Sequence, residues 1–176
     1  MWGSGSESPG VPNGASMVLV LEPPMRRGDA CAALAGRRDR VLFVGYGGAT
    51  EADLAGRLEE RFEEPPPVRA LGVGGDVEPG DLTGQGITIA EALSPGTAVC
   101  VDSLGALLQY ADREQVFQLI HTLGERCAES AAAMHFHLDP AAVDDRTVAV
   151  LSLLMDAVVD IESEAVTVRP ELTGTD

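Results

Sequence analysis

Short apolar runs alternate with amphipathic segments along most of the chain. The apolar runs predict buried strands at residues 16–22, 40–46, 68–74, 97–102 and 132–139, and a closing pair at 157–163 and 165–170. Prolines and glycines follow most of these runs, as is typical of strands that end in loops.

The segments between the runs predict helices. Asp29 can cap a short helix that Gly36 ends, and a second helix spans 51–63, before three consecutive prolines. Apolar residues at helical spacing predict further helices from Asp81 or Thr83 to about 93, over 113–129 and over 144–155. Strands that alternate with helices of this length favour an α/β fold with a parallel sheet covered on both faces.

The length of 176 residues suits one domain. Residues 1–15, rich in Gly, Ser and Pro, predict a disordered tail, residues 16–170 the folded domain, and residues 171–176 a second tail. No apolar run approaches the roughly 20 residues that cross a bilayer. The mean hydropathy is +0.08, so we expect a cytoplasmic protein without membrane partners.

The chain is strongly acidic, with a formal net charge of −16, and all twelve basic residues are arginines. Such a charge repels phosphate backbones and anionic lipids, which disfavours nucleic acid as a partner. In molar salt the Debye length shrinks to about 3 Å and the repulsion between carboxylates is screened. The composition therefore predicts a halophilic origin.

Cys31, Cys100 and Cys127 show no CxxC spacing, and Cys100 lies within an apolar strand. The pattern favours buried free thiols over zinc ligands or disulfides.

Ligands of open α/β sheets bind beyond the carboxyl ends of the strands, which directs attention to residues 22–28, 46–48 and 135–139 and, above all, to Asp102 and Ser103. An aspartate there can organise a magnesium ion through water, or it can cap the next turn, and the pattern leaves both open. The loop after the first strand, "EPPMRRGDA", has two prolines and an acidic Asp29 where a phosphate-binding loop needs glycines and a lysine. The chain contains no lysine at all.

His135, His137 and Asp139 alternate along one predicted strand and so share a face. Such a set could bind a transition metal or sense a phosphate, but a hydrogen-bonded structural histidine pair is the simpler interpretation. We therefore predict no metal site. No serine lies in a GxSxG motif, so a hydrolase triad is unsupported.

Three segments, "EPGDLTGQGITIAEAL", "VCVDSLGALLQYADREQVFQLIHTLGERC" and "MHFHLDPAAVDDRTVAVLSLLMDAVVDIE", carry a resemblance over residues 17–168. Together they resemble the haloarchaeal HTR-like proteins, which are related to KaiC-like ATPases of the RecA superfamily. The resemblance implies a RecA-like three-layer fold with a mostly parallel central sheet flanked by helices. It also implies that Asp102 occupies the position of the magnesium-organising aspartate, and that His135 to Asp139 follow the strand that carries a phosphate-sensing residue in intact relatives.

These observations favour a non-catalytic RecA-like module, without a bound cofactor, that acts in regulation or signal transduction through a protein partner. The alternative is a weak sensor of ATP and magnesium, or an ATPase completed by a neighbouring subunit of a homo-oligomer. DNA binding, by analogy with recombinases, runs against the charge.

Overall fold

The structure is a computed structural model that describes residues 10–12, 14–26, 28–46, 50–71, 78 and 80–168. Its strands are β1 (Met17–Leu21), β2 (Arg40–Gly45), β3 (Val68–Leu71), β4 (Thr97–Asp102), β5 (Ala133–Leu138), β6 (Ala157–Asp160) and β7 (Ala165–Val168). Its α-helices are α1 (Asp29–Ala35), α2 (Glu51–Arg61), α3 (Leu82–Ala92), α4 (Leu104–Leu107), α5 (Arg113–Ser130) and α6 (Asp145–Leu153). Two short 3-10 helices cover Pro24–Arg26 and Pro140–Ala142.

The seven strands form one sheet in the order β3-β2-β4-β5-β1-β6-β7. Every neighbouring pair is parallel except β6 and β7, which form an antiparallel pair at one edge. This arrangement confirms the predicted mostly parallel sheet and the predicted closing pair of strands. It also places β4, β5 and β1 side by side in the centre.

Helices cover both faces of the sheet, so the molecule has three layers. The larger apolar cluster packs α3, α4, α5 and α6 on one face, around buried side chains such as Leu19, Val99 and Phe136. On the opposite face, α1 packs against β1 and β6, and α1 and α2 pack against β2 and β4. Because strand side chains alternate between faces, Cys100, Asp102, His135 and His137 all lie on the side of α1 and α2.

Helix α1 begins differently from the prediction. Gly28 is the N-cap, with a φ of 94°, and its position requires the left-handed backbone that glycine adopts readily. Asp29 is the first helical residue and makes no side-chain cap, so the prediction that Asp29 caps the helix is wrong by one position. The carboxylate of Asp29 instead pairs with Arg57, with Oδ1 2.6 Å from Nη1. The prediction that Gly36 ends α1 is confirmed.

The other helix boundaries follow local signals closely. A reciprocal capping box between Thr50 and Asp53 starts α2, and its hydrogen bonds lower the pKa of the Asp53 carboxyl. Asp81 caps α3 by accepting the backbone N–H of Gly84, so the helix begins where one of the two predicted starts placed it. The short α4 was not predicted, since four residues carry too little periodicity to register in a sequence pattern.

The predicted third strand, 68–74, is described only as far as Leu71, because residues 72–77 lie outside the described part of the chain. The predicted tails likewise fall largely on residues that the structure does not describe, so their limits stay predictions. Val11 and Ala15, within the first predicted tail, are buried in the cluster of α1, β1 and β6. None of the helices in the described ranges combines the length and apolar character needed to span a bilayer.

Candidate functional site

A cavity of about 680 Å³ opens at the carboxyl edge of the sheet, between the strand ends and the helices α1 and α2. The strand side chains that line it include Glu22, Phe43, Cys100, Asp102 and His137. The helix side adds residues from the start of α1 and along α2: Gly28, Cys31, Thr50, Ala52, Asp53, Leu54, Gly56, Arg57 and Glu60. Its size falls in the range of small-molecule sites, and its position is where α/β sheets bind ligands.

Strand register places the central side chains of this cavity. His137 on β5 lies beside Asp102 on β4 and beside Val20 on β1. Glu22 follows two residues after Val20, on the same face, and its backbone N–H donates to the carbonyl oxygen of Leu138 at 2.9 Å. Three adjacent strands therefore deliver Glu22, Asp102 and His137 to one spot.

Glu22 and His137 form a buried pair. His137 Nδ1 lies 2.9 Å from Glu22 Oε1, and the two side chains are 2% and 3% exposed. A carboxylate only accepts hydrogen bonds, so the His137 tautomer that makes this contact to a carboxylate carries its proton on Nδ1. The second carboxylate oxygen of Glu22, Oε2, is buried and has no hydrogen-bond partner among the described residues.

Cys31 on α1 and Cys100 on β4 form a disulfide beside this pair, with a Cα separation of 6.6 Å. The prediction of free thiols is therefore wrong for these two cysteines, whereas Cys127 is free and buried, as predicted. The two residues are 69 positions apart, and they meet only because α1 packs across the face of β4. His137 Nε2 lies 3.3 Å from Cys100 Sγ, so the sulfurs and the imidazole are in direct contact.

Asp102 and Ser103 occupy the end of β4. Asp102 is 5% exposed and lines the cavity, while its backbone carbonyl oxygen accepts the N–H of Tyr46 at 2.8 Å. The peptide bond between Asp102 and Ser103 is cis. Ser103, not Asp102, caps the next turn, because its Oγ accepts the N–H of Ala106 at the start of α4. Asp102 therefore lines the cavity and does not cap α4, whereas its role toward a magnesium ion stays a prediction.

The structure divides the predicted histidine and aspartate set. His135 and His137 lie on one face of β5 as predicted, but Asp139 follows the strand and caps the 3-10 helix at Pro140–Ala142. His135 lies between Val18 of β1 and Cys100 of β4, and its Nδ1 has no partner in the described part of the chain. Burial, with smaller effects of His137, Arg38 and Arg37, lowers the pKa of His135 to about 3, so His135 is a neutral core residue.

The charges around the cavity are mainly negative. Four of its described lining residues are carboxylic acids, Glu22, Asp53, Glu60 and Asp102, and one is an arginine, Arg57. Arg57 is already paired with Asp29 at the start of α1. The loop from β1 to α1 contributes Pro24 and Met25 to the lining. The side chains of Arg26 and Arg27, the other cations of this loop, lie outside the described residues.

Sequence reasoning placed Glu22 among the strand-end residues but gave it no role, and it missed the pairing of Cys31 with Cys100. Glu22 continues the alternation of β1 on the face of Val18 and Val20, so a charged residue on that apolar face was the available signal. Cys31 carried no comparable signal, because nothing in the sequence shows which strand α1 covers.

Comparisons with known proteins place this arrangement in context. The structure is similar to the flagellar accessory protein FlaH from Methanocaldococcus jannaschii, with a TM-score of 0.56 and 12% identity over 86% of this chain and 72% of that one. It is also similar to PH0250 from Pyrococcus horikoshii OT3, with a TM-score of 0.56 and 8% identity over 92% of this chain and 91% of that one. These likenesses show a RecA-like fold, which confirms the predicted fold class.

A search of curated proteins found no significant match. The model of the family of unknown function DUF7504 matches residues 15–161, which is most of the chain. By this match the chain belongs to the DUF7504 family.

Proposed function

We propose that this protein is a non-catalytic RecA-like module that works in regulation or signal transduction by binding another protein. On the basis of the resemblance to haloarchaeal HTR-like proteins, the setting that we propose is the cytoplasm of a halophilic organism. It rests on one observation above all, the charge of the cavity where a RecA-like sheet would hold a nucleotide.

That cavity is poorly suited to a triphosphate. Phosphate sites in this fold class use backbone N–H groups of a glycine-rich loop and a lysine that reaches the terminal phosphates. Among the residues that the structure describes, the lining brings four carboxylic acids and one arginine, and that arginine is paired with Asp29. Each carboxylate repels a phosphate at short range, and burial strengthens the repulsion because the local dielectric constant is lower than that of water.

The deciding experiment is isothermal titration calorimetry of the full chain with ATP and magnesium in 2 M KCl. We expect no saturable heat up to about 1 mM nucleotide, which corresponds to a binding free energy weaker than about −4 kcal/mol. Saturable binding with a micromolar Kd would contradict the proposal.

A second candidate is a weak ATP sensor or an ATPase completed by a neighbouring subunit. The observation that favours it is the buried carboxylate of Asp102, which lines a cavity large enough for a nucleotide. If this candidate is correct, ATP binding depends on magnesium and is lost in Asp102→Asn. Asp139→Asn is the matched control, because Asp139 caps a 3-10 helix and does not line the cavity.

The protein-binding half of the proposal has its own test. Chemical cross-linking in a native lysate at molar KCl, followed by mass spectrometry, should give reproducible cross-links between this chain and one other protein. Cross-links confined to copies of this chain would favour the oligomeric alternative instead.

A further inference from the structure

Cys31, Cys100 and His137 bring two sulfurs and one imidazole nitrogen together inside the protein. One ligand atom from each residue lies within 4.8 Å of the other two, and all three residues are buried. Two thiolates and an imidazole are donors that Zn²⁺ prefers, and a three-ligand set leaves a fourth position open.

We propose that the reduced, dithiol form of this protein binds one Zn²⁺ ion through Cys31 Sγ, Cys100 Sγ and His137 Nε2. The disulfide form described above is the metal-free state of the same three residues. The inference is independent of whether a nucleotide binds, because it concerns only the sulfurs and the imidazole.

The distances suit a tetrahedral ion. With Zn–S of about 2.3 Å and Zn–N of about 2.0 to 2.1 Å, tetrahedral geometry places sulfur about 3.6 Å from nitrogen and the two sulfurs about 3.8 Å apart. His137 Nε2 lies 3.3 Å from Cys100 Sγ, already close to the required separation. The two sulfurs are bonded to each other in the disulfide form, so reduction has to let them move apart to about 3.8 Å while all three ligand atoms stay within reach of one ion.

Glu22 orients the imidazole for this role. A histidine that binds zinc through Nε2 usually donates its Nδ1–H to a carboxylate, which sets the tautomer and makes the ligand more basic. Glu22 Oε1 lies 2.9 Å from Nδ1 and supplies that carboxylate. Its other oxygen, Oε2, is buried and lacks a partner among the described residues.

The surroundings provide rigidity and access. The ligands come from a helix and from two adjacent strands, α1, β4 and β5, so packing of the core fixes their relative positions. All three also line the cavity of about 680 Å³, which gives the ion a path to the site and leaves its fourth position facing open space.

The two states are linked by an ordinary thiol reaction. A dithiol reductant transfers two electrons and two protons to the disulfide, which becomes two cysteine thiols, while the reductant becomes a cyclic disulfide. When Zn²⁺ binds, the two thiols release their protons to water and bind as thiolates. Oxidation by a disulfide reagent reverses the electron transfer and releases the ion.

The test uses the full chain, reduced with dithiothreitol, freed of reductant without air and titrated with Co²⁺. We expect thiolate-to-cobalt charge-transfer bands and tetrahedral ligand-field bands that saturate at one ion per chain and disappear when one equivalent of Zn²⁺ is added. The same titration of the oxidised protein should give neither band. Absence of the bands in the reduced protein would overturn the proposal.

Variants assign the ligands. Cys31→Ser and Cys100→Ser should each weaken Co²⁺ binding at least a hundredfold, whereas Cys127→Ala, which removes the third cysteine, should leave it unchanged. Glu22→Gln should keep the tetrahedral spectrum but weaken binding about 10- to 100-fold, because the imidazole loses its carboxylate. Full binding by Cys31→Ser or Cys100→Ser would exclude these residues as ligands.

X-ray absorption of the zinc-loaded wild-type protein needs no variant and so does not depend on how the variants fold. We expect two sulfur ligands at about 2.3 Å and one imidazole nitrogen at about 2.0 to 2.1 Å. A shell of three sulfurs would mean that Cys127 takes part, which requires unfolding of the core, and it would contradict the proposed site.

Discussion

The immediate neighbours of a buried polar side chain set its environment, and the environments of the two buried histidines differ widely. His137 has Glu22 at Nδ1 and Cys100 at Nε2, so both ring nitrogens are engaged. His135, two residues earlier on the same face, lies between Val18 and Cys100, where burial keeps it neutral. The same face of β5 thus carries one histidine that belongs to the cavity, His137, and one that belongs to the core, His135.

Cys127 shows the effect of burial on reactivity. Its Sγ contacts the backbone carbonyl of Ser16. The pKa of the thiol is raised to about 12, mainly by the loss of water around it, while Arg38 opposes this rise and Asp156 adds to it. Since thiolate is the reactive form, the folded protein holds about a thousandfold less of it at pH 8 than an exposed cysteine. We predict that iodoacetamide fails to alkylate Cys127 in the oxidised, folded protein but alkylates it readily in urea.

Because the pKa of the Cys127 thiol is raised in the folded state, the free energy of unfolding changes with pH in the alkaline range. The folded state holds the thiol proton more tightly than the unfolded state, whose pKa is 9.0. The buried thiol therefore adds its full share to the free energy of unfolding below pH 9, and this share is lost as the pH rises from 9 toward 12. Cys127→Ala should lose this part of the alkaline dependence, as measured by urea unfolding at pH 8 and pH 10. Rapid alkylation of the folded protein at pH 8 would contradict the buried position.

At the scale of elements, backbone conformation decides which glycines are replaceable. Gly96 lies in the turn before β4 with a φ of 85°, and its carbonyl accepts the N–H groups of Asp39 and Arg40. An added Cβ would lie 2.3 Å from Asp39 Oδ2. Gly56 lies inside α2, with nothing within 4 Å of an added Cβ.

These two glycines give opposite predictions for the same substitution. Gly96→Ala should lower the free energy of unfolding by about 1 to 2 kcal/mol, because a left-handed residue with a Cβ is strained. Gly56→Ala should raise it by about 0.5 to 1 kcal/mol, because alanine has less backbone freedom to lose in a helix. Urea denaturation midpoints measure both, and a Gly96→Ala protein as stable as the wild type would show that the turn differs from the one described.

At the scale of the whole molecule, the net charge of −16 works against folding at low salt. Four exposed glutamates, at positions 59, 60, 63 and 64, gather at and just beyond the C-terminal end of α2. The partial negative charge of that helix end adds to their mutual repulsion. This cluster should therefore be one source of a salt requirement.

We predict that replacing these four glutamates with glutamine raises the Tm at 0.1 M KCl and has little effect at 3 M KCl, where the charges are screened. The wild-type Tm should rise across the same range. Glu51→Gln is the matched control, since Glu51 lies in the first turn of α2, where a negative charge is favourable, and its loss should lower the low-salt Tm. Equal Tm gains at both salt concentrations would point to packing instead of charge as the cause.

The sequence by itself determined the α/β character, most element positions and the mostly parallel sheet, because burial imposes periods of about two and 3.6 residues on local segments. It also brought out Asp102 and the alternation of His135 with His137. Asp139 departs from that alternation because the strand ends at Leu138.

Only the tertiary structure decided which distant residues meet. Glu22, Cys31, Cys100 and His137 are separated along the chain by up to 115 positions, yet they converge at the carboxyl ends of β1, β4 and β5. Strand order and the path of α1 across the sheet set these contacts, and both depend on long-range packing that leaves no local period. For that reason the cysteine pair and the buried glutamate become visible only in the folded molecule.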